Sequence, residues 1–591
     1  MNAVHEAREP SARYLAALEP PLLQQFDLIA TAPKGVARLR ELILMLAVQG
    51  KLVPQDPGDE PANALLERIH SEKSRLVKEG KIRKDKPLAE ISEDEKPFEL
   101  PSGWTWTRLG QIGEIGSSSR VHQRDWTSEG VPFYRAREIV HLSSFGSVPN
   151  DLFISEALFA ELSAGGLIPE ANDLMLTGVG TIGVPYVVRD TDRFYFKDAS
   201  VLIFKNRYVL CPYFLFYFMK SPYWVDIIHA NSMGTTVHTL TIGRACEVPF
   251  ALPPIAEQSR IVAHVEELMA LCDALEAKGK LEAEQHARLV GSLFESLANS
   301  ESAHALAENW QRIATHFDLL LDRPAAVDAL EQTILQLAVR GLLVPQDPAD
   351  EPASVLLQKI RQEKDHQIAA GKIKRDKPLP PINDEEKPFE LPEGWEWARF
   401  GEITNISSGV TLGRKTPIKD PISLPYLRVA NVQRWQLALN ELKELMIDRS
   451  ELERFQIQKN DLLITEGGDW DKVGRTCIWH GQVPVCLHQN HVFKARGLTG
   501  QWSPVWAELY LNSTDARAYF SSSAKQTTNL ASINMTELKR CVFPMPPLYE
   551  QSRIVARVTE LRALCAQLRE RLAATARTQS RLAEALVDSL G

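Results

Sequence analysis

Cysteine is scarce in this chain and shows no pattern. Seven cysteines are scattered through 591 residues, at 211, 246, 272, 477, 486, 541 and 565, and none forms a CxxC pair. That excludes a disulfide framework and a zinc cage, and it predicts a reducing, cytoplasmic setting. No apolar run approaches the ~20 residues that cross a bilayer, so no transmembrane helix is expected. The first residues, MNAVHEAREPSARYLAALEP, lack the basic-then-apolar order of a secretion signal. Basic excess is missing too. The net charge is −9, which taken alone argues against a nucleic-acid binder, although a local field can override the total.

Signatures of catalysis are also absent. No GxxxxGK[ST] loop is present to cradle phosphates, and no strand–GxG–helix fingerprint points to a bound nucleotide or methyl donor. The LPPI and MPPL turns lack the Asn or Asp before and the aromatic after with which amino-methyltransferases grip a flipped base. DEEK at 384–387 lies in a polar, loop-like run that recurs as EDEK, a poor setting for a nuclease site. His488 and His491 share a strand-like run but have no companions at ligand spacing. The sequence therefore predicts a binding protein that is not an enzyme, with no metal and no cofactor of its own.

What the chain does have is repetition. KPFELPSGWTW (96–106) returns as KPFELPEGWEW (387–397), and AVQGKLVPQDPGDEPA (47–62) as AVRGLLVPQDPADEPA (338–353). EQSRIVA (257–263) returns unchanged at 550–556. A near-identical frame thus surrounds two interiors of similar length and different letters, residues 101–254 and 392–547. One fold carrying two different binding surfaces explains this better than drift, which would have loosened the frame as well.

The frame reads as helical. Ile261, Val265, Leu268, Cys272 and Leu275 are spaced by four and three, the seam of a coiled coil, and Ile554, Val558, Leu561, Cys565 and Leu568 repeat it. The seam loosens at 276–285 and resumes with Leu289, Leu293 and Leu297; in the second copy it resumes with Leu582, Leu586 and Leu590. A continuous helix here would be ~65 Å long. Such stripes must be covered, and antiparallel pairing of the two is favoured over packing of each on its own domain. Helix–turn segments at 63–80 and 354–371 precede the interiors, followed by basic KIRKDKP or KIKRDKP and then acidic SEDEK or NDEEK. These charge runs read as solvated hairpins, with a partner-docking surface as the sharper alternative. Strand-like runs at 184–190, 199–205, 461–467 and 484–496 and short aromatic helices at 211–221 and 503–513 make the interiors mixed α/β.

The division is then a helical arm (1–50), a hairpin and charged linker (51–100), an interior (101–254), a spacer helix (255–300), a central helical region with linker (301–391), a second interior (392–547) and a second spacer helix (548–591). The fold class is α+β, with two mixed α/β domains, a long antiparallel helical pair and a pseudo-two-fold internal repeat.

ELPSGWTWTRLGQI, LTGVGTIG and QTTNLASINMTELKRCVFPMPPLYEQSRIV, in that order and within a plan present twice, make the chain resemble the DNA-specificity subunit of type I restriction–modification systems. The resemblance covers essentially the whole length. It implies that each interior is a target recognition domain reading half of a split, asymmetric DNA site, and that the helices set the gap between the halves. It also implies partners: double-stranded DNA, two methyltransferase subunits and two ATP-driven restriction subunits. Those partners would methylate adenine or cleave, using S-adenosylmethionine, ATP and Mg. A coiled-coil scaffold or peptide adaptor without DNA is the competing reading.

Base edges in the major groove call for Arg, Lys, Gln and Asn. On that chemistry the candidate readers are Arg120, Gln123, Arg124, Arg135 and Arg137 in the first domain. In the second they are Arg414, Lys415, Arg428, Asn431, Gln433, Arg434 and Lys472. VPFYRAREI (131–139) aligns with LPYLRVANV (424–432), setting Arg135 opposite Arg428. LTGVGTIG (176–183) faces a longer second version, ITEGGDWDKVG (464–474), with acids at 469 and 471 around Trp470.

Overall fold

In a computed structural model, helix α1 (Gly35–Val48) buries Leu39, Leu42, Ile43, Leu46 and Ala47, the stripe its three-and-four spacing requires. The structure describes residues 28–82, 86–230, 238–300, 302–413, 418–468, 472–527 and 530–590. Gly50 ends α1 at φ +70°, and Lys51 N–H donates back to Leu46 O at 2.9 Å. A side chain at Gly50 would sit 2.5 Å from Pro101 and 2.9 Å from the Trp104 ring. Gly341 repeats this, at φ +72°, against Pro392 and Trp395.

That close approach explains why three separated phrases repeat together: they form one knot. Trp104 Nε1 donates to the buried Glu257 at 3.0 Å, Gln55 Nε2 donates to Gly50 O, and Arg260 pairs with Asp59 at 2.6 Å. In the second copy Trp395 donates to Glu550 at 3.0 Å, Gln346 donates to Gly341 O and Arg553 pairs with Asp350 at 2.6 Å. Burial pushes both glutamates upward in pKa, and the indole donors work against that shift.

Two units result, residues 1–282 with 576–591 and residues 283–575. In the first, α2 (Ala62–Lys78) follows α1, and strand β1 (Thr105–Arg108) opens the interior. The interior closes on β6 (Pro249–Leu252), antiparallel to β1 with Thr105 opposite Leu252. Within that clip lies the antiparallel sheet β2–β5–β3–β4, made of Glu114–Gly116, Val201–Lys205, Leu174–Thr177 and Pro185–Val187. Helix α3 (Ala136–Phe145) contributes Ile139 and Leu142 to a core with Met175, Tyr186 and Ile203. Helix α4 (Pro212–Phe218) follows the sheet, and then comes the long α5 (Ile255–Ala298).

The second unit repeats the plan with α6 (Pro324–Val339), α7 (Ala353–Ala369) and the clip of β7 (Glu396–Arg399) with β14 (Val542–Met545). Its sheet runs β8–β13–β11–β12, made of Thr404–Ser408, Val492–Gly497, Leu462–Thr465 and Thr476–Ile478. Where the first interior has α3, the second has a two-stranded hairpin, β9 (Val432–Gln433) with β10 (Gln436–Leu437). Helix α8 (Pro504–Leu511) follows, and α9 (Leu548–Leu590) ends the chain.

Helix α5 begins in the first unit and ends in the second, and α9 does the reverse, so their chain directions oppose. Ile261, Val265, Leu268 and Cys272 are buried, with Leu275 half-buried; Ile554, Val558 and Cys565 are buried, with Leu561 and Leu568 half-buried. The covering differs from a simple helix pair. The first seam shares its core with α1, α2 and the far end of α9 (Ala583, Leu586, Val587), and the second with α6, α7 and the far end of α5 (Val290, Phe294, Leu297). α1 carries ion pairs to both long helices, Arg40 to Asp273 and Glu276, and Arg38 to Glu584.

The helix does not break where the seam loosens, but its resumption differs from the heptad reading. Leu289 and Leu582 are about half exposed, and Val290 and Ala583 are buried in their stead. Past the loosened stretch each helix meets a new set of neighbours, which sets the inward face afresh. Among the described residues no helix is long and apolar enough to cross a membrane.

Candidate nucleic-acid interface

Both interiors carry a loop closed by a threonine at the end of a central strand. Thr177 is fully buried; its hydroxyl donates to Thr181 O at 2.5 Å and accepts from Val184 N–H at 2.9 Å. This draws GVGTIG into a tight bend whose exposed tip includes Gly180 at φ +80° and Thr181. Thr465 does the same, donating to Lys472 O at 2.5 Å and accepting from Arg475 N–H at 3.0 Å. Seven positions separate the pin from its donor in the first loop and ten in the second, so the same clasp holds three additional residues. Asp469, Trp470 and Asp471 lie outside the described residues.

In the first interior, the segment after β2 is strapped to the sheet. Ser117 and Ser118 hydroxyls donate to Val201 O and Phe196 O, and Ser119 N–H donates to the Tyr195 hydroxyl at 2.9 Å. A short turn, Gln123–Asp125, is closed by His122 N–H donating to Asp125. This fixed backbone presents Arg120, Gln123 and Arg124 to solvent, the Arg124 side chain 82% exposed. All three are exposed donors of the reading type.

Arg135 and Arg137 stand differently. Both contact Glu138, which is 2% exposed, and both reach Asp151, at 3.1 and 2.9 Å. Burial would raise the Glu138 carboxyl, but the two guanidinia hold it below its ordinary value. A network of two cations and two anions cancels locally, so these arginines offer DNA less than exposed Arg120 and Arg124, the latter only 3.7 Å from Asp125.

In the second interior most candidates are engaged inside the protein. Asn431 is 3% exposed; its Oδ1 accepts from Arg428 N–H, and its Nδ2 donates to Ala438 O and Glu441 O. It caps a turn and has no edge left for a base, so it drops from the set of readers. Gln433 accepts from Arg475 at 2.5 Å and donates to Ala430 O. Arg434 donates to Asn512 at 3.1 Å, and half-buried Arg428 donates to Glu441 O at 3.3 Å. Lys472 is half-buried, with its carbonyl taken by Thr465. Arg414 and Lys415 lie outside the described residues.

Sequence reading missed the threonine clasps and Arg475. The signal for the clasps was a Thr at matching places in LTGVG and ITEGG; for Arg475 it was a lone basic residue straight after the long loop. His488 is fully buried, and its Nδ1 lies 2.7 Å from Val492 O. Burial pushes it down to about 3, so it is a neutral structural histidine. His491 pairs with Glu466. Among the described residues, no group of three His, Cys, Asp or Glu side chains could hold a metal ion.

Comparison with known proteins agrees with this duplicated architecture. The type I restriction modification DNA specificity domain matches residues 101–285 and again 392–576. The chain is 37% identical to the Escherichia coli EcoAI type I restriction enzyme specificity subunit, over 94% of each chain. It is 35% identical to the EcoEI specificity subunit of Escherichia coli, again over 94% of both. Among solved structures it is similar to the HsdS subunit from Thermoanaerobacter tengcongensis, with 19% identity, TM-score 0.38, and coverage of 84% of this chain and 98% of that one. A family match over both interiors, with two relatives aligned almost end to end, places this chain among the DNA-specificity subunits of type I restriction–modification systems.

Proposed function

We propose that residues 101–254 and 392–547 are target recognition domains, each reading one half of a bipartite, asymmetric DNA site. The chain is a non-catalytic specificity subunit, and adenine methylation and cleavage belong to methyltransferase and restriction subunits that assemble with it. S-adenosylmethionine, ATP and Mg are theirs. Two frame copies offer two equivalent docking positions, which supports two methyltransferase subunits and two restriction subunits per chain, acting in the cytoplasm. The observation that carries the reading is the bond-for-bond repetition of the frame knot around interiors whose exposed polar residues differ.

Phosphate contacts would set affinity and position, and base-edge donors would set sequence. Arg120, Gln123 and Arg124 lead in the first domain. In the second the described candidates are mostly held internally, which directs attention to the long loop after Thr465. With a net charge of −9, the chain alone binds DNA weakly at physiological salt, and partner subunits supply the cationic surface.

Replacing residues 101–254 with the matching domain of another family member tests this. Methylome sequencing of a host carrying the chimera and its methyltransferase should show one half-site changed and the other intact. A change in both halves, or in neither, would overturn the assignment. Gel shifts with and without the methyltransferase test the affinity claim, and equally tight binding in both lanes would refute it.

A further inference from the structure

The hairpin that replaces α3 in the second interior has an unusual residue at its tip. Gln433 pairs with Gln436 across the hairpin, leaving Arg434 and Trp435 as a two-residue loop. Trp435 takes φ +67°, the left-handed region where glycine or asparagine is usual at a turn. A bulky aromatic persists there only where its surroundings hold it.

Its neighbours supply that hold. The Trp435 ring lies against the guanidinium of Arg562 on α9, with Cζ 4.4 Å from the ring centroid. Arg562 is itself aimed by Glu331 of α6, which accepts from its Nε at 2.6 Å and from Arg569 at 2.5 Å. The residues on either side are tied down as well, Arg434 to Asn512 at the end of α8 and Gln433 to Arg475. The first repeat is built differently. Met269 stands where α9 has Arg562, Arg40 stands where α6 has Glu331, and the chain after Arg135 forms α3.

We infer that Trp435 is a positioning residue: its stack on Arg562 latches the second recognition domain to its frame helices and so fixes the register of the second half-site. This rests on the bipartite reading proposed above. A domain held by a planar stack and two flanking hydrogen bonds presents its readers at one angle, so the DNA between half-sites must have one length. Without the stack, the second domain keeps its reading surface and loses its fixed attitude to α9.

The experiment uses the full chain with its methyltransferase in a host carrying plasmids whose sites differ only in spacer length. Wild type should methylate one spacer length. Trp435→Ala should keep the same half-site letters while methylation of sites one base pair longer or shorter rises by about tenfold, as expected when one cation–π interaction is removed. Arg562→Met, the first repeat's residue, should do the same, and Trp435→Phe should restore discrimination. Trp435→Gly separates latch from backbone strain: glycine accepts φ +67°, so it should lose less thermal stability than Trp435→Ala while spacing loosens as much. Unchanged spacing in methylating Trp435→Ala and Trp435→Gly complexes would overturn the latch, as would a change of half-site letters. Should wild type methylate no two-part motif, the bipartite reading fails and the latch with it. A fixed wild-type spacer with unaltered variants would remove the latch alone.

Discussion

The two frame copies carry one ion pair with its polarity reversed. In the first unit Arg40 of α1 meets Glu276 of α5; at the same places in the repeat, Glu331 of α6 meets Arg569 of α9. Glu331→Arg would set a third cation among Arg562 and Arg569, whose nitrogens now lie 2.6 and 2.5 Å from Glu331. Two unit charges at ~4 Å interact by about 4 kcal/mol at an effective dielectric near 20. The Glu331 side chain is 13% exposed and its partners about one-third exposed, so escape to solvent halves this. At about 2 kcal/mol for each of the two cations, we expect about 4 kcal/mol of destabilisation from the single change, with about 1–2 kcal/mol recovered when Arg569→Glu restores the opposite polarity. Urea unfolding of the full chain, run as a double-mutant cycle, measures this. Coupling below about 0.3 kcal/mol would refute the argument. Reversed polarity also selects helix partners. Exchanging α1 with α6 would oppose Arg40 to Arg569 and Glu331 to Glu276. The doubly reversed protein, whose two frames share one polarity, should therefore give more mispaired dimer on refolding, read by size-exclusion chromatography.

Arg120→Ala with Arg124→Ala should weaken DNA binding by the assembled complex and lower the salt slope by about one for each phosphate left without its cation. Arg135→Ala should instead lower thermal stability, because it leaves Glu138 short of a partner. Glu508 is pushed up to about 7, chiefly by burial. The folded chain thus holds a proton that the unfolded chain has released, and the stability this gives is present below about pH 4.5 and lost as pH rises to about 7. His488, pushed down by burial to about 3, acts oppositely: its share is present above about 6.5 and lost as pH falls. Glu508→Gln should remove a decline of at most about 3 kcal/mol and leave a stability that rises with pH up to about 6.5, measured by urea midpoints across that range. Inserting one heptad at 276–285 and another at 569–578 should lengthen the gap between methylated half-sites without altering their letters.

The frame was legible because its residues answer to each other. A Gly, a Trp and a Glu distant in sequence return together since each fills a place the others define, and the helical seams declare themselves by spacing. The acidic runs were harder to read. SEDEK and NDEEK appear as solvated charge, yet Glu95 and Glu386 each leave the run to take a bidentate bond from a buried arginine, Arg108 and Arg399. Those bonds hold Glu95 down to about 2 and Glu386 below its usual range. The carboxylates close the mouth of each strand clip, a long-range pairing that no local pattern announces. The candidate reading residues were least legible. Arg120 and Asn431 are equally polar letters in equally plausible segments, and only the hydrogen bonds around Asn431 show that it caps a turn.

The buried frame glutamates bear on register more than on stability. Glu257 and Glu550 would be inexpensive to replace if the frame had only to be stable, since an apolar residue of similar volume avoids burying a carboxyl. As built, each glutamate is met by an indole and by the glutamine that follows the α1 or α6 terminus, so the knot closes only when that terminus, the strand clip and the long helix are all in register. Geometry that strict is wasted on a scaffold. It is useful where two divergent domains must each sit at a set angle on helices shared by both units, because any slack in the knot would become slack in the spacing of the half-sites. The second domain adds Trp435 to the same end, whereas the first has Met269 at the place of Arg562. Of the two half-sites, the first is therefore the one whose spacing should loosen first when its own knot is weakened by Trp104→Phe.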